Sequence, residues 1–353
     1  MGVVKKEMMH RLFYIATLFV AVLGIVSCQP HDALCFEHPH GAKVRLGVDW
    51  SAFKEEDPTG MSVSVFSATD STRLIQQTTE MTDGVEFNLL PKDYIAIVHN
   101  QGVAEFGHIA FSGMDKLSTA KVAPERCSSD WYTPIEDEAL VLNPEWLAFD
   151  KKDFLATQDV IKEKRSNDEA NHEQQEYPLV ATLTPRSVVY TLHFSIDIRG
   201  INNYRAARAA ITGMADGYAP GTGEYSAQRV THLIEEWEVE KRYVHTDGVQ
   251  EGSITAQIGC FGLPTGHDGA PSSNKLRLSM LLADNKTVVN HVFNVGHKIY
   301  RQATADNTLH LYLDLQFPDK LPDVIPEQGD TGQSGFDAEV NDWGDEENTE
   351  VIM

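Results

Sequence analysis

Alternation of apolar and polar side chains most tightly limits the folds open to this chain. Val188, Tyr190, Leu192, Phe194, Ile196 and Ile198 fall on one side of an extended run, with Thr191, His193, Ser195 and Asp197 on the other. A run near the end repeats the pattern, setting Leu309, Leu311, Leu313, Leu315 and Phe317 against His310, Asp314 and Gln316. A period of two marks a strand with one buried face, because successive side chains leave a strand on opposite sides. Val44, Leu46, Val48 and Trp50 follow the same rule, and strands are predicted over residues 61–66, 85–89, 94–99, 104–111, 254–260, 276–282 and 287–293. Turn residues separate them: Pro58-Thr59-Gly60, Asp83-Gly84 and Asn100-Gln101-Gly102, with a hairpin expected across Asp284-Asn285. Short strands spaced by turns are the mark of a β-sandwich or a barrel. The one helix predicted is the alanine-rich stretch 204–214, which follows Asn202-Asn203 as caps and reads as a helical insertion in the second sandwich.

At 353 residues the chain suits two domains. Period-two patterning lapses after residue 150, and twelve charges crowd the twenty-six residues 151–176. Residues 151–179 therefore read as a charged linker or long loop between a first sandwich, 42–150, and a second, 180–322. The segment 323–353 holds ten acidic residues and no Lys or Arg. Its composition is that of a solvated acidic tail. Phe336, Ala338 and Val340 nevertheless alternate, so a second reading is a strand that orders on a partner's sheet edge, with Phe336, Val340 and Trp343 filling pockets.

The first 27 residues read as a signal peptide. Lys5, Lys6 and Arg11 precede an apolar run, 12–26, that is shorter than the roughly 20 residues of a membrane span. Ile25-Val26-Ser27-Cys28 resembles a bacterial lipobox, in which Cys28 would carry the lipid and lead a lipidated N-terminal segment, 28–41. Several acyl chains on one residue give a stable membrane anchor. The alternative is an ordinary signal peptide with a chance cysteine. The charge balance, 29 basic against 52 acidic residues for a net −23, argues against nucleic acid as a partner.

No catalytic signature accompanies these features. The G-x-S-x-G elbow, H-E-x-x-H, the phosphate-binding loop and the dinucleotide fingerprint are all missing, and no cofactor or metal is expected. Cys35, His38 and His40, near His31, lack a second ligand pair at metal spacing and read better as an entry turn. With Cys28 acylated, Cys35 and Cys127 are the candidate disulfide within the first domain, and Cys260 reads as a small buried hydrophobe. Carboxylate groups such as Glu235/Glu236 and residues 136–138 read as solvated faces. The aromatic residues Trp131, Tyr132 and Trp146 admit a sugar platform, although a loop aromatic over a sandwich edge explains them as well.

Several segments together carry a family resemblance. They are Leu34-Cys35-Phe36-Glu37-His38-Pro39-His40, the strand end Val48-Asp49-Trp50, Leu90-Pro91-Lys92-Asp93-Tyr94 leading to His99-Asn100, Arg199-Gly200, Ile211-Thr212-Gly213-Met214, and Gly335-Phe336-Asp337 with Asp342-Trp343-Gly344-Asp345. These resemble an uncharacterised family of Bacteroides-type surface lipoproteins related to fimbrial anchor and accessory subunits. The resemblance implies two transthyretin-like or immunoglobulin-like β-sandwich domains, a place at the outer membrane, pilus or other envelope proteins as partners, and no catalytic residue. No arginine-containing processing site follows Cys28, which favours an anchor or accessory subunit over a polymerising stalk subunit. The alternative is a surface glycan-binding lipoprotein.

Overall fold

Wherever one face of an alternating run is buried, a strand forms. The structure, a computed structural model, describes residues 41–54, 58–134, 137–156, 177–244, 246–302, 304 and 307–326. In chain order the strands are β1 (Ala42–Val48), β2 (Met61–Ser67), β3 (Arg73–Thr79), β4 (Gly84–Leu89), β5 (Asp93–Asn100), β6 (Ile109–Ser112), β7 (Lys121–Pro124), β8 (Ala139–Val141), β9 (Ala148–Leu155), β10 (Leu179–Leu183) and β11 (Arg186–Ser187). There follow β12 (Tyr190–Arg199), β13 (Tyr204–Ala215), β14 (Tyr218–Ala219), β15 (Glu224–Tyr225), β16 (Arg229–Ile234), β17 (Glu238–Val244), β18 (Gln250–Cys260), β19 (Lys275–Leu282), β20 (Val288–Asn294), β21 (Tyr300–Gln302) and β22 (Leu309–Lys320). Single 3-10 turns occur at Val103–Glu105, Ile201–Asn203 and Pro271–Ser273, and no α-helix forms among the described residues. The protein is mainly β and built from several sheets.

The sheet β10-β1-β4 and the sheet β11-β9-β5-β2-β3 share a core that includes Val44, Leu46, Val63, Val65, Phe87 and Val98. A second pair of sheets, β17-β18-β12-β22-β21 and β20-β19-β13-β16-β8, encloses Leu192, Phe194, Ile196, Ala209, Leu278 and Leu313. Central strand β12 runs antiparallel to β18 and parallel to β22, so the two clearest alternating runs of the sequence lie side by side. The predicted hairpin is present: β19 pairs antiparallel with β20, and Asn285 takes the left-handed conformation in the turn (φ 57°). Residues 104–111 form a strand only at their end, in β6, after the 3-10 turn.

Two pairings cross the charged stretch. β10, which follows it, pairs in parallel with β1, while β8, which precedes it, pairs in parallel with β16. β9 continues through residue 155, and residues 157–176 lie outside the described residues. The described residues from Ala42 onward form one compact unit.

The predicted helix at 204–214 is instead β13, a central strand bonded to β19 on one side and β16 on the other. Both of its faces are covered. Ala207, Ala209 and Ile211 enter the core between the sheets, while Ala210 packs under Tyr132 and Leu140 on the opposite face. A strand buried on both sides loses its polar alternation, and close cover selects small side chains. Helix propensity, worth only tenths of a kcal/mol per residue, yields to that burial. Gly213 shows how close the cover is: it sits at φ 78°, and a Cβ there would lie 2.2 Å from the Ser273 carbonyl oxygen.

Candidate functional site

The outer face of the β13-containing sheet is strapped by residues 127–134 and 137–138, which precede the edge strand β8. The Cys127 amide donates to the Leu140 carbonyl (3.0 Å), and the Ser129 hydroxyl accepts from the amides of Trp131 (3.3 Å) and Tyr132 (3.2 Å). Tyr132 is buried against Leu140 and Ala210. At the far end, Glu138 Oε2 accepts from the Gly213 amide (2.9 Å) and the Thr231 hydroxyl (3.0 Å). The strap therefore has fixed bonds at both ends.

Trp131 is held in three ways. Its indole Nε1–H donates to Glu235 Oε1 at 2.7 Å, the buried Arg208 guanidinium lies 4.7 Å from the ring centre, and Tyr132 meets the ring edge-on at 5.7 Å. A cation over an indole face is a favourable contact of about 0.5–2 kcal/mol, larger when desolvated. Beside the strap opens a cavity of about 490 Å³ with an apolar floor of Val141, Ile234 and Ile258. Its polar side is furnished by Ser129, Asp130, Glu235, Glu236 and Gln257, and Trp131 and Cys127 also line it. Burial pushes the Cys127 thiol above its ordinary range, and the Glu235 charge adds to that shift. A raised thiol is a poor nucleophile at neutral pH. With Glu235 tied to the indole and the thiol held protonated, the cavity offers an aromatic ring, a hydrophobic floor and hydrogen-bonding groups.

The fold brings together some of the residues singled out in the sequence and separates others. Trp131, Tyr132 and Glu235 converge, although neither carboxylate group reads as a partner from sequence: Glu235 and Glu138 are bonded and not simply solvated. Trp146 leaves this group and joins Trp50 (6.4 Å) and Phe53 (5.1 Å) in a separate aromatic cluster. Cys260 is buried in the core between the second pair of sheets. Arg208 and Ser129, which fix the strap, carried no signal in the sequence. Cys28, Cys35, His31, His38, His40, Phe336, Val340 and Trp343 lie outside the described residues. Among the described residues no group of three or more His, Cys, Asp or Glu is placed to hold a metal ion, and no helix is long and apolar enough to cross a membrane.

The fold is that of a mainly β, multi-sheet protein, with a strapped cavity that Trp131 lines. The chain is a member of the family described as a domain of unknown function, DUF5119, whose profile matches residues 27–235. Among solved structures it is similar to an adhesin candidate from Bacteroides ovatus, at 18% identity and TM-score 0.48 over 85% of this chain and 99% of that one. It is also similar to the fimbrial anchor protein Mfa2 of Porphyromonas gingivalis, at 10% identity and TM-score 0.44 over 78% of this chain and 90% of that one. A candidate polysaccharide-binding protein from Bacteroides thetaiotaomicron aligns at 8% identity and TM-score 0.45, over 78% and 90% of the two chains. No curated protein shows significant sequence similarity to the chain.

Proposed function

We propose that this chain is a non-catalytic, lipid-anchored accessory or anchor subunit of a fimbria-like surface assembly, held at the outer membrane through Cys28 and built as two transthyretin-like sandwich domains. The observation that carries the partner-binding part is strand β20. It is an edge strand bonded only to β19 among the described residues, and its sequence Val-Val-Asn-His-Val-Phe-Asn holds no charged residue and no proline in a chain of net charge −23. The long edge strand of the other sheet in the second pair, β17, carries the exposed Glu238 and Glu240. Charged side chains on an edge discourage strand addition, and an uncharged β-branched edge favours it. β20 is therefore where a partner strand adds, and its backbone groups supply the affinity. The tail residues Phe336, Val340 and Trp343 are proposed to act in the opposite sense, as a strand donated to a partner.

Two substitutions test the reading in cells that express the full chain. Cys28→Ala abolishes palmitate labelling and releases the protein from the membrane fraction; equal labelling of mutant and wild type refutes the anchor. Val292→Lys places a charge on the free edge, and chemical cross-linking on intact cells then loses the adducts seen with wild type. Unchanged adducts refute the edge.

A second reading rests on the strapped cavity beside Trp131, whose ring, floor and polar side suit a sugar.

A further inference from the structure

We infer that the cavity beside Trp131 binds one uncharged pyranose unit and rejects acidic sugars. The inference deepens the sugar reading of that cavity and does not depend on the accessory-subunit reading.

Three features lead to this ligand class. The first is preorganisation. Trp131 is fixed by Glu235 at its N–H and by Arg208 against one face, so a ligand meets the other face of a ring that has little freedom left to lose. The second is the division of the cavity into an apolar floor of Val141, Ile234 and Ile258 and a polar side that includes Ser129, Glu236 and Gln257. A pyranose is divided in the same way: its axial C–H groups form an apolar face, and its hydroxyls both donate and accept. Carboxylates, hydroxyls and a carboxamide together match that mixture, which a purely cationic side chain does not need. The third is charge. Asp130, Glu235 and Glu236 surround the cavity, and the nearby cation, Arg208, is buried against the inner face of the indole. A carboxylate-bearing sugar would face like charges, and none of the residues that line the cavity is a cation. At about 490 Å³ the cavity has room for a pyranose ring and is open to solvent for continuation into a longer glycan.

Saturation-transfer NMR on the purified full chain in detergent tests the assignment with a defined set of probes. These are the methyl glycosides of glucose, galactose and mannose, N-acetylglucosamine, glucuronic and galacturonic acids, and trilysine. At least one neutral probe is expected to bind saturably, and its own uronic acid to bind at least about tenfold more weakly. Trp131→Ala should weaken the neutral probe by about tenfold or more. The strap also depends on Trp131, so Gln257→Trp provides a second variant. Gln257 is exposed on β18, and a bulky ring there fills the cavity without touching the strap's bonds. Loss of binding in Gln257→Trp with an unchanged thermal midpoint supports the site. Failure of every neutral probe, equal binding of the uronic acid, full binding in Gln257→Trp, or binding of trilysine alone overturns it. None of these outcomes bears on the cross-linking test of the β20 edge.

Discussion

The His232 imidazole Nδ1 lies 2.9 Å from the side-chain oxygen of Asn143, a residue that lines the cavity. The Asn143 carboxamide nitrogen donates to the Leu233 carbonyl (3.0 Å), so its oxygen is the acceptor and the imidazole carries its proton on Nδ1. His232 is fully buried, and burial pushes its pKa down to about 3. His99, ringed by Phe106, Phe111 and Phe149, is pushed down to about 4 for the same reason. Both rings are neutral in the fold.

Acid should therefore unfold the protein through these two residues. A histidine whose folded pKa lies below its unfolded value of 6.5 stabilises the fold fully at high pH. That contribution shrinks as pH falls through 6.5, because only the unfolded chain takes up the proton. At pH 5 each ring removes on the order of 2 kcal/mol relative to pH 8. Urea titrations at the two pH values should show the loss. His99→Phe, which removes one titrating ring from an aromatic pocket, should lower the slope but not abolish it, because His193 and His291 are also pushed down by burial. A flat profile between pH 8 and pH 5 contradicts the burial of both rings.

Asp216 predicts an asymmetry. Its side chain is 2% exposed and forms ion pairs with Lys121 (3.0 Å) and Arg126 (2.7 Å), whose side chains are 38% and 50% exposed. The pairs tie the end of β13 to the start of the strap. Asp216→Asn leaves two cations that water can still reach, and should cost about 1–3 kcal/mol. The double variant Lys121→Met/Arg126→Met strands a buried carboxylate and should cost more, about 3–5 kcal/mol. Chemical denaturation at pH 7 ranks the two, and a milder double variant contradicts the assignment.

How much of this architecture could be read from sequence follows from how each strand is buried. β4, β12 and β22 alternate buried with more exposed residues, and β2, although buried on both faces, keeps serine opposite valine, so alternation locates them all. β13 is also buried on both faces, and its alanines imitate a helix because nothing in Ala207, Ala209 and Ala210 records which side each one packs on. The cavity was legible only in parts. Trp131 stands out as a loop aromatic and Glu235 as one acid among many, but the bond between them joins positions 104 residues apart. Trp146 has the same local appearance as Trp131 and packs elsewhere, against Phe53. Composition identifies sticky and charged groups; the sheet order decides which of them meet.

The charged stretch 151–179 is proposed as the boundary between two domains, and limited proteolysis should cut within it. The sheet pairings add a consequence that charge density alone does not supply. Because β10 pairs with β1 and β8 with β16, each fragment contributes a strand to a sheet completed by the other. The nicked protein should elute as one species on size exclusion and separate only in denaturant. Early cleavage inside Tyr190–Arg199 would mean that the boundary is misplaced.

The last prediction concerns the acidic C-terminal segment. A passive tail and a donated strand make different demands on residues 335–353. Electrostatic solvation needs only the acids, whereas strand donation needs an extended backbone that presents Phe336 and Val340 on one side and Trp343 on the other. The last described residues leave β22 with Leu321 buried and Asp323 bonded to the Asn203 side chain (3.2 Å), so the fold is anchored before the segment begins. Deleting residues 335–353 should therefore leave the thermal midpoint and membrane delivery unchanged. Under the donated-strand proposal, the truncated chain loses its envelope cross-links, and so does the full-length triple variant Phe336→Ser/Val340→Ser/Trp343→Ser, which retains every acid. Cross-links at wild-type yield in both proteins leave the segment with its charge alone and refute strand donation.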